Sequence, residues 1–338
     1  KDDKALVTEV RERVQEVTGA EAVDLFPLER ISIGQVVSAF GFVFLVLVLL
    51  AFASNWDDIS AALREADWTR LPATVVLAML PFPAGALSLM GSVVRPLPLW
   101  RTTVIMFGQS FLNRFTPMNA GGMAMRVRYL QKGGTDVAVA AAAVGVTSAA
   151  SGVMQGVMFA LFIFWAGSSP GGTLELPDIA SVALVVLVVA AVVGVVLLVP
   201  SVRRLAAKWW EVGRAKFGED FRGVAARPSK LALLFGGAGL SKFFTIAAFV
   251  ASCRAFDISL GFADLGLLYL IGSTVGSAVP TPGGVGGVEA ALIAVLTGAG
   301  VDNATAAAAV VVFRLVTYWL PILPGYVSLR YSRKAELV

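Results

Sequence analysis

Six stretches of this chain, 33–54, 71–92, 137–166, 179–199, 231–253 and 303–330, are apolar for about twenty residues or more, and four of them contain no charged side chain. A run of that length matches the thickness of a bilayer's hydrocarbon core when coiled as a helix. Hydrocarbon offers the backbone no hydrogen-bond partners, so only helices and closed barrels cross it. The composition agrees: 57% of the 338 residues are hydrophobic and 15% are charged, against about 25% charged in an ordinary soluble domain. These residues therefore predict an all-α polytopic membrane protein.

One apolar region is interrupted. Between 263–279 and 288–300 lies Pro280-Thr281-Pro282-Gly283-Gly284-Val285-Gly286-Gly287, with two prolines and four glycines. Such a stretch cannot continue a helix. Irregular backbone at membrane depth is tolerated only against protein or beside a water-filled cavity. Glu289 follows, the one carboxylate between Asp264 and Asp302. An ionisable group at such a depth marks a functional site by default.

The interruption has a counterpart. Thr116-Pro117 and Thr281-Pro282 are the only Thr-Pro pairs, and each is followed at equal spacing by a glycine pair, Gly121-Gly122 and Gly286-Gly287. The offset is 165 residues, and it carries 71–92 onto 236–257 and 137–166 onto 302–331. Paired Gly/Pro breaks in corresponding places of two halves point to a transporter-type site between repeats. Loop charge sets the topology. The loop 200–230, with eight basic and three acidic residues, and the tail 331–338 are expected in the cytoplasm, whereas 167–178 has no basic residue and is expected outside. Counting crossings then makes 93–136 and 254–302 re-entrant hairpins from opposite faces. The expected architecture is about six transmembrane helices plus two re-entrant hairpins, in two inverted repeats, 33–166 and 179–331. Thr116, Pro117, Gly121, Gly122, Pro280, Pro282, Gly283, Gly284, Gly286 and Gly287 form the hairpin hinges. Residues 55–70 read as a polar loop with Trp56 and Trp68 as interfacial anchors. Residues 1–32 read as a cytoplasmic amphipathic or linker segment. The charged start at Lys1 has no signal-peptide pattern and is read as following a fused or partner cytosolic domain upstream.

The chain has no histidine and one cysteine, Cys253, which removes His-based proton relays, metal sites and Ser-His hydrolysis. No metal or cofactor is expected. Glu289 has two candidate partners, Lys242 and Arg314. Arg114, Arg126 and Arg128 suit a phosphate clamp, because guanidinium grips phosphate with paired hydrogen bonds. The N–H groups of Gly121 and Gly122 would add an anion site at a helix start. Tyr318 lies one turn beyond Arg314 and shares its face. Gln109 and Gln155 read as helix–helix hydrogen-bonding residues. The basic loop 200–230 suits anionic lipid, and nucleic acid is not an expected partner. A homo-oligomer is compatible with the sequence.

Across 35–330 the chain resembles the lysylphosphatidylglycerol synthase transmembrane (flippase-like) family. The resemblance rests on Pro280-Thr281-Pro282-Gly283-Gly284-Val285-Gly286 with Glu289, on Arg314, Tyr318, Trp319, Pro321 and Gly325, and on Asn113, Pro117, Gly121, Arg126, Tyr129 and Leu130. It departs at Gly122, where the family carries an acidic residue. The resemblance implies a multi-pass plasma-membrane protein, both termini cytoplasmic, that moves a phospholipid between leaflets, with Asn113 among the substrate contacts. It also implies no lipid synthesis, since no synthase domain is seen in these residues. Two other readings stay open: an intramembrane enzyme acting on lipid or isoprenoid phosphates, and a membrane scaffold for a fused or partner cytosolic enzyme.

Overall fold

A computed structural model describes residues 56–116, 119–168, 222–279 and 284–338. All regular structure among them is helical. Four helical stretches are long and apolar enough to cross a membrane: Trp68–Gly91, Val137–Gly167, Pro228–Ala255 and Asn303–Lys334. These are four of the six expected spans; 33–54 and 179–199 lie outside the described residues, as do 1–32, most of the loop 200–230, and hinge residues Pro117, Pro280, Pro282 and Gly283. Trp100, Phe164, Leu323 and Val327 are exposed on the outer surface, as helices facing lipid tails require.

The expected loop at 55–70 is instead a helix, α1 (Trp56–Glu65), followed by a 3₁₀ turn, Trp68–Arg70. Ile59, Ala62 and Leu63 recur at helical spacing and pack on Ala307 and Ala308. Asp57 and Asp58 in the first turn and Arg64 in the last suit the helix dipole. The next span is divided by its prolines. α2 (Leu71–Met79) stops at Leu80, and Pro81 opens α3 (Pro81–Gly91). α4 (Leu99–Phe115) and α5 (Ala120–Lys132) form the first hairpin, and α6 (Val137–Ser168) follows. After α7 (Pro228–Ala255), α8 (Phe262–Ser277) and α9 (Gly287–Gly298) form the second hairpin. The last span joins α10 (Asn303–Arg314) through a π turn, Leu315–Trp319, to α11 (Ile322–Lys334).

The element order repeats. α8, α9 and α10 start 163, 167 and 166 residues after α4, α5 and α6. α2–α3 and α7, which correspond under the 165-residue offset, pack on each other and run antiparallel. At one end the Asp67 N–H donates to the Ala255 carbonyl at 2.8 Å. At the other, Ser88 Oγ donates to the Leu234 carbonyl at 2.9 Å and Lys230 Nζ to the Met90 carbonyl at 3.0 Å. The contact depends on Gly91 and Gly237. A Cβ on Gly91 would lie 2.3 Å from the Leu234 nitrogen, and one on Gly237 2.4 Å from the Ser88 nitrogen. Small residues at such crossings let backbones approach in lipid.

Two apolar clusters sit on either side of this seam. One gathers Phe249, Leu265, Leu270, Leu292, Val310 and Phe313 with Phe162 from the end of α6, and it encloses Cys253. The other gathers Leu89, Ile105, Met125, Leu130 and Val144 with Leu329 from α11. Each long final helix of one half thus contributes side chains to the cluster of the other.

Candidate functional site

The π turn in the last span sets the site. Leu320 N–H bonds to the Leu315 carbonyl, five residues back, at 2.8 Å, and Pro321 has no N–H to offer. A widened turn followed by proline frees carbonyls from the helical ladder. Arg114, at the end of α4, takes the Tyr318 carbonyl: its Nε donates at 2.7 Å, and Nη2 donates to the same oxygen. Its Nη1 donates to the Ser110 carbonyl in its own helix. The Arg114 guanidinium also lies 4.7 Å from the Tyr318 ring centroid.

Arg314 contacts the same ring, at 4.4 Å, and a cation over an aromatic ring is worth roughly 1–2 kcal/mol when desolvated. Arg314 Nε donates to Glu289 Oε1 at 2.6 Å, and the two side chains are only 12% and 10% exposed. Glu289 Oε2 accepts from the Gly286 N–H at 2.8 Å, where Gly286 has φ 85°. Both carboxylate oxygens are therefore satisfied, one by the hairpin turn and one by α10. Arg314 Nη2 is buried with no hydrogen-bond partner among the described residues. Arg114, Tyr318, Arg314 and Glu289 make a continuous chain of contacts from the first hairpin to the second, with one net positive charge.

The other sequence candidates divide. Of the two partners offered for Glu289, Arg314 takes it. Lys242, midway along α7, forms neither ion pair nor hydrogen bond among the described residues. Asn113 Oδ1 accepts from the Gly122 N–H at 2.9 Å and Thr116 Oγ1 from the Gly121 N–H at 3.0 Å. The helix-start donors expected to bind an anion are thus occupied by side chains at the end of α4, Asn113 taking that of Gly122 and Thr116 that of Gly121. Arg128 is exposed on α5, while Arg126 is turned inward, where Nη1 donates to Thr147 Oγ1 at 3.4 Å. Gln155 makes the expected cross-helix bond, to Thr274 Oγ1 at 3.3 Å. Gln109 does not; its Nε2 reaches only Met106 Sδ in its own helix.

The Tyr318 carbonyl as an acceptor was not visible in the sequence. Pro321 three residues on was its one signal. An open cleft of about 900 Å³ between α1, α9 and α10 is lined by alanines with an acidic rim of Asp58, Glu65 and Asp302, and it contains none of these groups. No group of three metal-ligating side chains occurs among the described residues.

The family model described as Lysylphosphatidylglycerol synthase TM region matches residues 33–325. No curated protein matches the chain.

Proposed function

The chain belongs to the lysylphosphatidylglycerol synthase TM region family, and from that premise we propose that it is a lipid transporter that moves a phospholipid or other lipid-phosphate head group between leaflets. The passage is a polar chamber between two re-entrant hairpins. The observation that carries this reading is the chain of contacts from Arg114 through Tyr318 and Arg314 to Glu289. It joins the inner ends of both hairpins, where a head group crossing the bilayer has to pass.

Helix length supports re-entry. α5 has 13 residues and α9 has 12, which at ~1.5 Å per residue cover about 18–20 Å of a core about 30 Å thick. The antiparallel packing of α2–α3 on α7 supports inversion. Helices related by a two-fold axis in the membrane plane meet head to tail, as these do at Asp67–Ala255 and at Ser88–Leu234. In this reading the protein sits in the plasma membrane with both termini in the cytoplasm and makes no covalent change in the lipid.

The chemistry follows from charge. An isolated charge at the bilayer centre costs about 3 kcal/mol on insertion scales and more than 10 in simulations. The Glu289–Arg314 pair and the Tyr318 ring reduce that cost. The spare donor on Arg314 and the excess charge of Arg114 leave the cluster ready for an anionic head group. Glu289 supplies the opposing charge for a cationic head group, or a proton-carrying carboxylate. Purified protein in liposomes with fluorescent phosphatidylglycerol, read by dithionite quenching, tests this. Wild-type protein is expected to speed inter-leaflet movement, and Glu289→Gln and Arg314→Ala to reduce it at least tenfold. Wild-type liposomes no faster than protein-free ones would overturn the reading.

A further inference from the structure

A second polar chamber, separate from the Glu289–Arg314 pair, lies between α3, α4, α5 and α6 of the first half and α7 of the second. Its volume is about 240 Å³ and it is lined by Gln109, Arg126, Thr147, Ser151 and Ser241 against Phe82 and Met106. None of its eleven lining residues is acidic, so the Arg126 charge is uncompensated there. Arg126 Nε is buried and donates to nothing among the described residues, and Gln109 Oε1 is buried and accepts nothing. The hydroxyls of Thr147 and Ser151 donate to backbone carbonyls in α6. The Ser241 hydroxyl has no partner among the described residues.

A buried guanidinium facing hydroxyls and an amide, with no carboxylate on the wall, is a site built for an anion. We propose that this chamber is a phosphate-binding subsite for a phospholipid head group, with Arg126 gripping the phosphodiester. Ser241 donates to it, and so does the Gln109 amide once its oxygen and nitrogen, which have the same shape, exchange places. The volume fits that occupant. At ~30 Å³ per water it holds about eight, enough for a phosphodiester and part of its alcohol but not for acyl chains. The position 165 residues after Arg126 is Ala291, so the second half has no equivalent arginine and the subsite is not duplicated. The choice of a lipid as the phosphate's source rests on the transport reading above; the anion site itself does not.

The test uses purified full-chain protein in detergent and calorimetric titration with dihexanoyl-phosphatidylglycerol, inorganic phosphate and dihexanoylglycerol. Wild type is expected to bind the phosphatidylglycerol and not the uncharged glyceride. Arg126→Gln is expected to weaken binding at least tenfold. Arg126→Lys should retain part of it, and the exposed Lys132→Gln all of it. Elution volume and thermal midpoint check folding; if Arg126→Gln fails to fold, Ser241→Ala takes its place with a several-fold loss expected. Equal binding by wild type and Arg126→Gln overturns the subsite. Inorganic phosphate binding at Arg126 without phosphatidylglycerol binding overturns the lipid assignment. A wild type that binds phosphatidylglycerol through Arg126 but moves no lipid in liposomes would sink the transport reading and leave this one standing.

Discussion

Glu289 and Arg314 are a pair whose members fail separately and succeed together. Removing one partner leaves the other as a buried unpaired charge, a loss of about 3–5 kcal/mol, whereas replacing both with apolar groups of similar volume is near neutral. Glu289→Met and Arg314→Met alone are each expected to lower the thermal midpoint in detergent by several degrees. The double variant is expected to recover most of that loss while remaining dead in the liposome assay. A double variant as unstable as the singles would show that the pair's hydrogen bonds, not its charge balance, hold the hairpin. That Glu289 pairs with a cation was legible in the sequence, because a lone carboxylate at a helix break must seek one and few are deep; the choice of Arg314 over Lys242 was made only by the fold. The roles of Asn113 and Arg114 were not legible. Each is committed to a backbone group, at Gly122 and Tyr318, that only the folded geometry makes available.

Among the elements, the seam between α3 and α7 gives a test within one helix. Gly236 has open space around the position of a Cβ, while one on Gly237 would meet the Ser88 nitrogen at 2.4 Å and the Ala84 carbonyl at 2.7 Å. Gly236→Ala is expected to be neutral or to stabilise by up to about 1 kcal/mol through helix propensity. Gly237→Ala is expected to force the helices apart and collapse the yield of folded protein on size-exclusion chromatography. The start of α10 responds to pH. Asp302 accepts from the N–H groups of Thr305 and Ala304, and the Thr305 N–H first among these bonds holds its carboxyl below the usual 3.8. Because the folded form has the lower pKa, the cap stabilises fully above about pH 4 and is lost as pH falls through the folded value. Asp302→Ala should therefore cost about 1 kcal/mol at pH 7 and progressively less as pH falls through the folded pKa, measured as thermal midpoints along a pH series. α1 shows why a helix can hide in a polar stretch. Its apolar face is only Ile59, Ala62 and Leu63 wide, and two tryptophans at its borders read as membrane anchors.

For the molecule as a whole, the four described spans were legible because uncharged length is a strong signal, and the helix breaks before α5 and α9 because proline and glycine punctuate so sharply. The second chamber was not, since Gln109, Thr147, Ser151 and Ser241 come from three helices and only packing brings them to Arg126. The proposed inversion makes a claim about sides. Lys132 ends the first hairpin and Ser259 precedes the second, so a cysteine at position 132 should react with an impermeant maleimide only from the cytoplasm and one at 259 only from outside. Reaction of both from one face would rule out inversion. The native thiol makes such mapping direct. Cys253 is the chain's one cysteine and is 0% exposed, sealed among Phe249, Leu265 and their neighbours, so the unaltered protein is already its own unlabelled blank and every sulfur placed on it reports alone.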